Sequence, residues 1–88
     1  MNIHKDIINR YDNILGELTP YVTCIPEPGI YFPHLRWMLN ELREGKVTGE
    51  KAHRWLGFIQ GLMVMNELIT VSGEREFTRP YLTENANG

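Results

Sequence analysis

Two arginines near the end of the chain, Arg75 and Arg79, are spaced to bind an anion. They lie four residues apart in the stretch SGEREFTRP, so a helix there would place both guanidinium groups on one face. Guanidinium groups on one face can hold a carboxylate or a phosphate through paired hydrogen bonds. The alternative is that these arginines pair with Glu74, Glu76 or acidic residues elsewhere and fix this segment to the body of the protein.

A second group of arginines stands next to aromatic residues. Tyr31, Arg36 and Trp37 lie close together in the sequence, and Arg54 precedes Trp55. Arginine and aromatic side chains are enriched in the hot spots of protein interfaces, because both bury a large area at a small entropic cost. We therefore predict a partner-binding surface with Trp37 as its exposed anchor. The alternative is that the rings belong to the core and that the arginine stems pack along it.

The residues needed for catalysis or metal binding do not cluster in the sequence. His4, His34 and His53 lack the spacing of a zinc site, and Cys24 lies in a proline-rich stretch with no histidine nearby. A paired-carboxylate site, a glycine-rich phosphate loop and a serine elbow are also absent from the sequence. The sequence therefore predicts a protein that is not an enzyme and that carries no metal and no cofactor.

The composition is that of an ordinary folded domain. The chain has 88 residues, of which 42% are hydrophobic and 23% charged, and this predicts one small globular domain. Its formal net charge of −2 gives no overall basic field that would attract nucleic acid. The single cysteine favours a reducing compartment, and no stretch is apolar enough for a signal peptide or a membrane span. We therefore expect a cytoplasmic protein.

Helical periodicity is clearest at the start of the chain. Apolar residues from Ile3 to Leu18 follow one helical face, and Pro20 predicts that this first helix ends at Leu18 or Thr19. The stretch PYVTCIPEPGIYFP, residues 20–33, follows with four of the five prolines. Because this stretch also holds many apolar residues, we expect an ordered loop that packs across the helices.

The second and third helices are predicted to form a hairpin. The apolar period gives a second helix over His34–Arg43, Gly45 suits its left-handed C-terminal cap, and Thr48 suits the N-cap of the third helix. Gly57 and Gly61 lie on one face of the third helix and remove side-chain bulk there. We expect close helix packing at these glycines, against the first helix within one chain, with a seam between two copies as the alternative.

The C-terminal part predicts a short fourth helix. Ser72 is its expected N-cap, Phe77 its anchor to the core and Pro80 its limit, and residues 83–88 are expected to fray. The fold class predicted is therefore all-α. It is a small bundle of three main helices plus a short C-terminal helix, in one domain over residues 1–82, with a packed proline-rich loop between the first two helices.

Two motifs resemble those of a known group of proteins. The stretch RWLGFIQG, residues 54–61, and the stretch EREFTR, residues 74–79, are similar to elements shared by small, mostly uncharacterised proteins of tailed bacteriophages and prophages. The similarity covers residues 34–80 and omits the first helix and the proline-rich loop. This resemblance implies a phage origin and a bacterial host, and it implies no particular activity.

Three hypotheses of function follow. The first is a non-enzymatic phage accessory protein that binds a host protein, such as a defence component, and modulates or inhibits it. The second is a small regulatory protein that binds nucleic acid through the hairpin of the second and third helices, with Arg36, Arg43, Lys46, Lys51 and Arg54 as its basic face. The third is an enzyme or small-ligand binder built around Arg75 and Arg79. A homodimer is compatible with each of them.

Overall fold

The computed structural model describes residues 3–20, 22 and 32–87, with side chains up to residue 81. In these residues the regular structure is four helices, and they contain no strand. The helices are α1 (Lys5–Leu18), α2 (Phe32–Arg43), α3 (Gly49–Met65) and α4 (Val71–Asn87). The prediction of an all-α bundle is confirmed. The proline-rich loop and Tyr31 lie almost entirely outside the described residues, so the packing of that loop stays a prediction.

The core forms where the apolar stripes of the first three helices meet. Tyr11, Leu15, Leu35, Leu39, Ile59 and Met63 are among its fully buried side chains. The stripes predicted from the sequence supply nearly all of this core, because each places an apolar residue inward once per turn. Most of the close backbone approaches between helices join α1 to α2, and α4 makes few.

The ends of the first three helices follow local sequence signals. α1 ends at Leu18, and the N–H of Thr19 donates to the carbonyl of Leu15 at 2.8 Å. Gly45 has a φ of 74°, which glycine adopts without steric cost. The N–H of Lys46 then donates to the carbonyl of Glu41 at 3.0 Å, as in a Schellman motif. Thr48 precedes α3 as predicted, although its side chain makes no capping hydrogen bond.

α4 differs from the predicted short helix at both ends. It begins at Val71, and Thr70 caps it by accepting a hydrogen bond from the N–H of Gly73 at 3.0 Å, so the prediction of Ser72 as N-cap is wrong. The helix also continues through Pro80 to Asn87. Proline removes one helical hydrogen bond and strains the preceding turn, but it does not end this helix. The fraying expected of residues 83–88 is a matter of motion and stays a prediction.

Candidate functional site

A groove opens between the N-terminal end of α1, α3 and α4. Its volume is about 630 Å³, within the range of ligand pockets in proteins. We call it the α3–α4 groove. Its apolar lining comes from the N-terminal region, from α3, from the turn before α4 and from the start of α4, namely from Ile3, Ile7, Leu56, Val64, Ile69 and Val71. No sequence motif predicts this groove, because its walls come from three separate segments of the chain.

A polar network forms part of the groove wall and ties α4 to α1. Glu74 lines the groove, and its carboxylate is only 9% exposed. It accepts hydrogen bonds from Arg10, at 2.8 Å from Nη2 and at 3.2 Å from Nε. The Arg10 guanidinium also lies 4.7 Å from the centre of the Phe77 ring, so the predicted anchor Phe77 packs at this same junction. These contacts neutralise the one acidic side chain in the groove lining.

Tyr11 joins this network from the core. Its hydroxyl accepts a hydrogen bond from Nε2 of Gln60, another lining residue, at 2.8 Å. Burial raises the pKa of Tyr11, and the neighbouring Glu74 carboxylate raises it further. The phenol therefore stays protonated and neutral at physiological pH. Tyr11 and Gln60 thus act as fixed polar groups beneath an apolar groove.

The two glycines of α3 lie open beside the groove. Apart from the adjoining residues and backbone of α3 itself, no described atom comes within 4 Å of the position that a Cβ would take at Gly57 or Gly61. The predicted close crossing of α1 at these glycines is therefore wrong. The physical reason is that Gly57 and Gly61 lie about 160° around the helix from Ile59, which points into the core. The glycines face outward, and we call them the glycine shoulder.

Two large apolar side chains flank the glycine shoulder on the side away from the groove. Phe58 is 44% exposed and Met65 is 82% exposed. Gly61 lines the groove itself, so groove, shoulder and these two side chains form one continuous surface. Large exposed apolar side chains beside a groove with apolar walls are typical of protein interaction sites.

The structure assigns different roles to the two C-terminal arginines. Arg75 lines the groove and is exposed, and no described residue forms an ion pair with it. Arg79 pairs with Glu76 at 2.9 Å on the protein surface, as the alternative interpretation expected for it. The predicted clamp of two arginines on one anion stays a prediction, and of the two arginines only Arg75 lines the groove.

Arg36 holds two helices together, and its predicted role in partner binding stays a prediction. Its Nε donates to Oδ1 of Asp12 at 2.8 Å and its Nη1 donates to the carbonyl of Thr19 at 2.9 Å. The guanidinium lies against Gly16, where an added Cβ would sit 3.4 Å from Cζ of Arg36. The residue that gives room for close packing is therefore Gly16 of α1. Arg36 ties α2 to the end of α1 and has little exposed surface left for a partner.

The other predicted binding residues lie away from the groove lining. The Trp37 side chain is half-buried, stacks on His34 at 5.3 Å between ring centres and lies 6.0 Å from Trp55. It therefore belongs to an aromatic cluster and does not stand alone as an exposed anchor. Arg54 is exposed one turn before the glycine shoulder. Tyr31 is not among the described residues, so its role stays a prediction.

Much of the basic face predicted on the second and third helices is neutralised. Arg43 donates to Oδ2 of Asp12 at 3.2 Å, the same carboxylate that holds Arg36. Lys46 lies within ion-pair distance of Glu41 and Glu44, and these carboxylates raise its pKa. Three of the five cations in that face thus already have acidic partners.

Comparisons of the chain with protein families, with curated proteins and with solved structures find no match. Among the described residues, no three His, Cys, Asp or Glu side chains come together as a metal site. In the same part of the chain, none of the helices combines the length and the apolar character needed to cross a bilayer.

Proposed function

We propose that this protein is a non-enzymatic protein-binding module. In this proposal it is a phage-type accessory protein that modulates or inhibits a host factor in the bacterial cytoplasm. The observation that carries the proposal is the continuous open surface made by the α3–α4 groove, the glycine shoulder, Phe58 and Met65.

The shape of this surface favours a protein segment as its ligand. A glycine pair on a helix lets another backbone approach closely, and a partner helix is the common element that uses such an approach. Exposing Phe58 and Met65 to water costs free energy that a partner would recover by covering them. A helix laid over the shoulder would contact the groove on one side and these two side chains on the other.

The ion pairs favour this proposal over nucleic-acid binding. Counterion release upon phosphate binding requires free cations, and Arg36, Arg43 and Lys46 are already paired with carboxylates. The exposed cations Arg54 and Arg75 flank or line the protein-binding surface instead.

Affinity capture from host lysate followed by mass spectrometry tests the proposal. We compare the wild type with a variant that carries Phe58→Ser and Met65→Ser. Leu18→Ser is the matched control, because Leu18 is 53% exposed but lies at the far end of α1 from the groove. We expect the wild type and the control to capture the same host protein and the double variant to lose it. Capture of no protein, or equal capture by all three, contradicts the proposal.

A second copy of the chain is the competing occupant of the same surface. Sedimentation at several concentrations distinguishes the two cases. If the surface pairs two copies, the wild type will dimerise with increasing concentration and the Phe58→Ser, Met65→Ser variant will stay monomeric.

A further inference from the structure

We propose that the partner segment is an acidic amphipathic helix, whose apolar side chains enter the α3–α4 groove and whose carboxylate pairs with Arg75. This inference rests on the proposed function and specifies the partner of the same surface. It follows from the charge of the groove, from the length of its wall and from the open glycine shoulder.

The charge of the groove is the first argument. Its lining carries two side chains with full charges, Glu74 and Arg75, besides the histidines. The Glu74 charge is compensated by Arg10, which donates two hydrogen bonds to its carboxylate. The Arg75 charge is compensated by no described residue. The groove therefore offers one uncompensated guanidinium at the edge of an apolar surface, and a carboxylate matches its geometry.

The length of the wall is the second argument. The residues of α3 that line the groove run from His53 to Val64, which corresponds to about 16 Å or three helical turns. A partner helix with apolar residues at positions i, i+3, i+4 and i+7 presents an apolar stripe of similar length. The glycine shoulder lets the backbone of that helix come close to α3 along the same stretch.

The experiment uses defined peptides and the intact protein. The probe is a fluorescently labelled 18-residue helix with leucine at the amphipathic positions and glutamate at the others. One comparison peptide has lysine in place of glutamate, and another has serine in place of leucine. Fluorescence anisotropy gives the dissociation constant of each peptide for each protein variant.

Two arginine variants test whether binding depends on a positive charge in the groove or only on the net charge of the protein. Arg75→Glu and Arg79→Glu change the net charge equally, but only Arg75 lines the groove. We expect Arg75→Glu to weaken binding of the leucine–glutamate peptide about tenfold and Arg79→Glu to leave it within about twofold. We also expect the lysine peptide to bind the wild type more weakly and to gain affinity from Arg75→Glu.

A third variant checks that binding occurs in the groove. Gly61→Leu places a side chain on the shoulder, where no described neighbour is displaced, so the fold should be retained. It should weaken binding of the leucine–glutamate peptide, and the serine peptide should not bind even to the wild type.

The outcomes separate this inference from the proposed function. Equal effects of the two arginine variants, or equal binding of the lysine and glutamate peptides, overturn the acidic partner. If charge has no effect in these comparisons but Gly61→Leu still prevents the glutamate and the lysine peptides from binding, the proposed protein-binding surface stands and only the acidic partner is excluded. Lack of binding of the leucine–glutamate peptide at roughly 1 mM also overturns the inference. The lysate capture then decides the proposed function independently.

Discussion

Arg10 and Glu74, 64 residues apart in the chain, form an ion pair that joins α1 to α4, in which Nε and Nη2 of Arg10 both donate to Oε2 of Glu74. The two partners are buried unequally, since the Arg10 side chain is 37% exposed and the Glu74 side chain 9%. Because α4 approaches the other helices closely at few points, this pair and the ring of Phe77 below it hold one wall of the groove in place.

The unequal burial predicts unequal effects of removing the two partners. Arg10→Met leaves a buried carboxylate without its cation, whereas Glu74→Gln leaves a guanidinium that water can still reach. We expect the free energy of unfolding to fall by about 2 kcal/mol for Arg10→Met and by about 1 kcal/mol for Glu74→Gln, after allowance for the partial exposure of Arg10. Urea denaturation measures both values.

Arg79→Met is the matched control for this pair. Arg79 bonds to Glu76 three residues away, and both side chains are more than 60% exposed. We expect its loss to change the free energy of unfolding by less than about 0.5 kcal/mol. Equal losses for Arg10→Met and Glu74→Gln would show that burial does not govern the pair.

Much of the helical body could be predicted because its determinants are local. The apolar period gives α1, α2 and α3, and Pro20, Gly45 and Thr48 mark where elements end or begin. The groove could not be predicted, because its walls meet only through contacts distant in sequence, such as the hydrogen bond from Tyr81 to Asp6. α4 itself has a weak apolar pattern, and Pro80 is a poor guide to its end because a proline can also kink a helix that continues.

The positions of the candidate site residues were harder to predict than the helices. The sequence contains the signal that Gly57 and Gly61 face outward, because the stripe that includes Ile59 already defines the opposite face as the core. No sequence signal distinguishes Arg36 from Arg75. Arg36 becomes structural only because the fold brings Asp12 to within 2.8 Å of it, whereas Arg75 meets no acidic side chain among the described residues.

The turn between α3 and α4 contains a site of backbone strain. Glu67 has a φ of 60°, a conformation that glycine adopts more easily than any other residue. Gly45 occupies the equivalent position after α2, with a φ of 74°. We expect Glu67→Gly to raise the free energy of unfolding by about 1 kcal/mol and Gly45→Ala to lower it by a similar amount. Thermal and urea denaturation of both variants check this, and a loss of stability in Glu67→Gly contradicts it.

His34 predicts a pH dependence of stability. Burial lowers the pKa of His34 in the folded protein, so the unfolded chain binds a proton there more readily. The contribution of neutral His34 to stability is therefore complete above about pH 6.5 and is lost as the pH falls through the lower pKa of the folded state. His34→Gln should remove the part of the acid-induced loss of stability that comes from His34.

Urea denaturation at pH 7.5 and at pH 5 measures this effect. We expect the free energy of unfolding of His34→Gln to fall less than that of the wild type between these two values. His53→Gln, at an exposed position, controls for the loss of a histidine as such. If the free energy of unfolding of His34→Gln falls as much as that of the wild type, His34 is not a source of acid sensitivity.

The open glycine shoulder predicts that Gly57 and Gly61 lower the stability of α3. Alanine favours a helix over glycine by about 1 kcal/mol, and a methyl group at Gly57 or Gly61 meets no described atom within 4 Å beyond the adjoining part of α3. Gly57→Ala and Gly61→Ala should therefore each raise the free energy of unfolding by roughly 0.5–1 kcal/mol in the isolated protein.

Gly73→Ala is the contrasting control, because its Cβ would lie 2.8 Å from Oγ1 of Thr70 and break the cap of α4. It should therefore lower the free energy of unfolding by about 1 kcal/mol. Urea denaturation at two protein concentrations separates the explanations: a gain at both concentrations means that the shoulder is open in the free protein, and a loss at either shows that another helix already covers it.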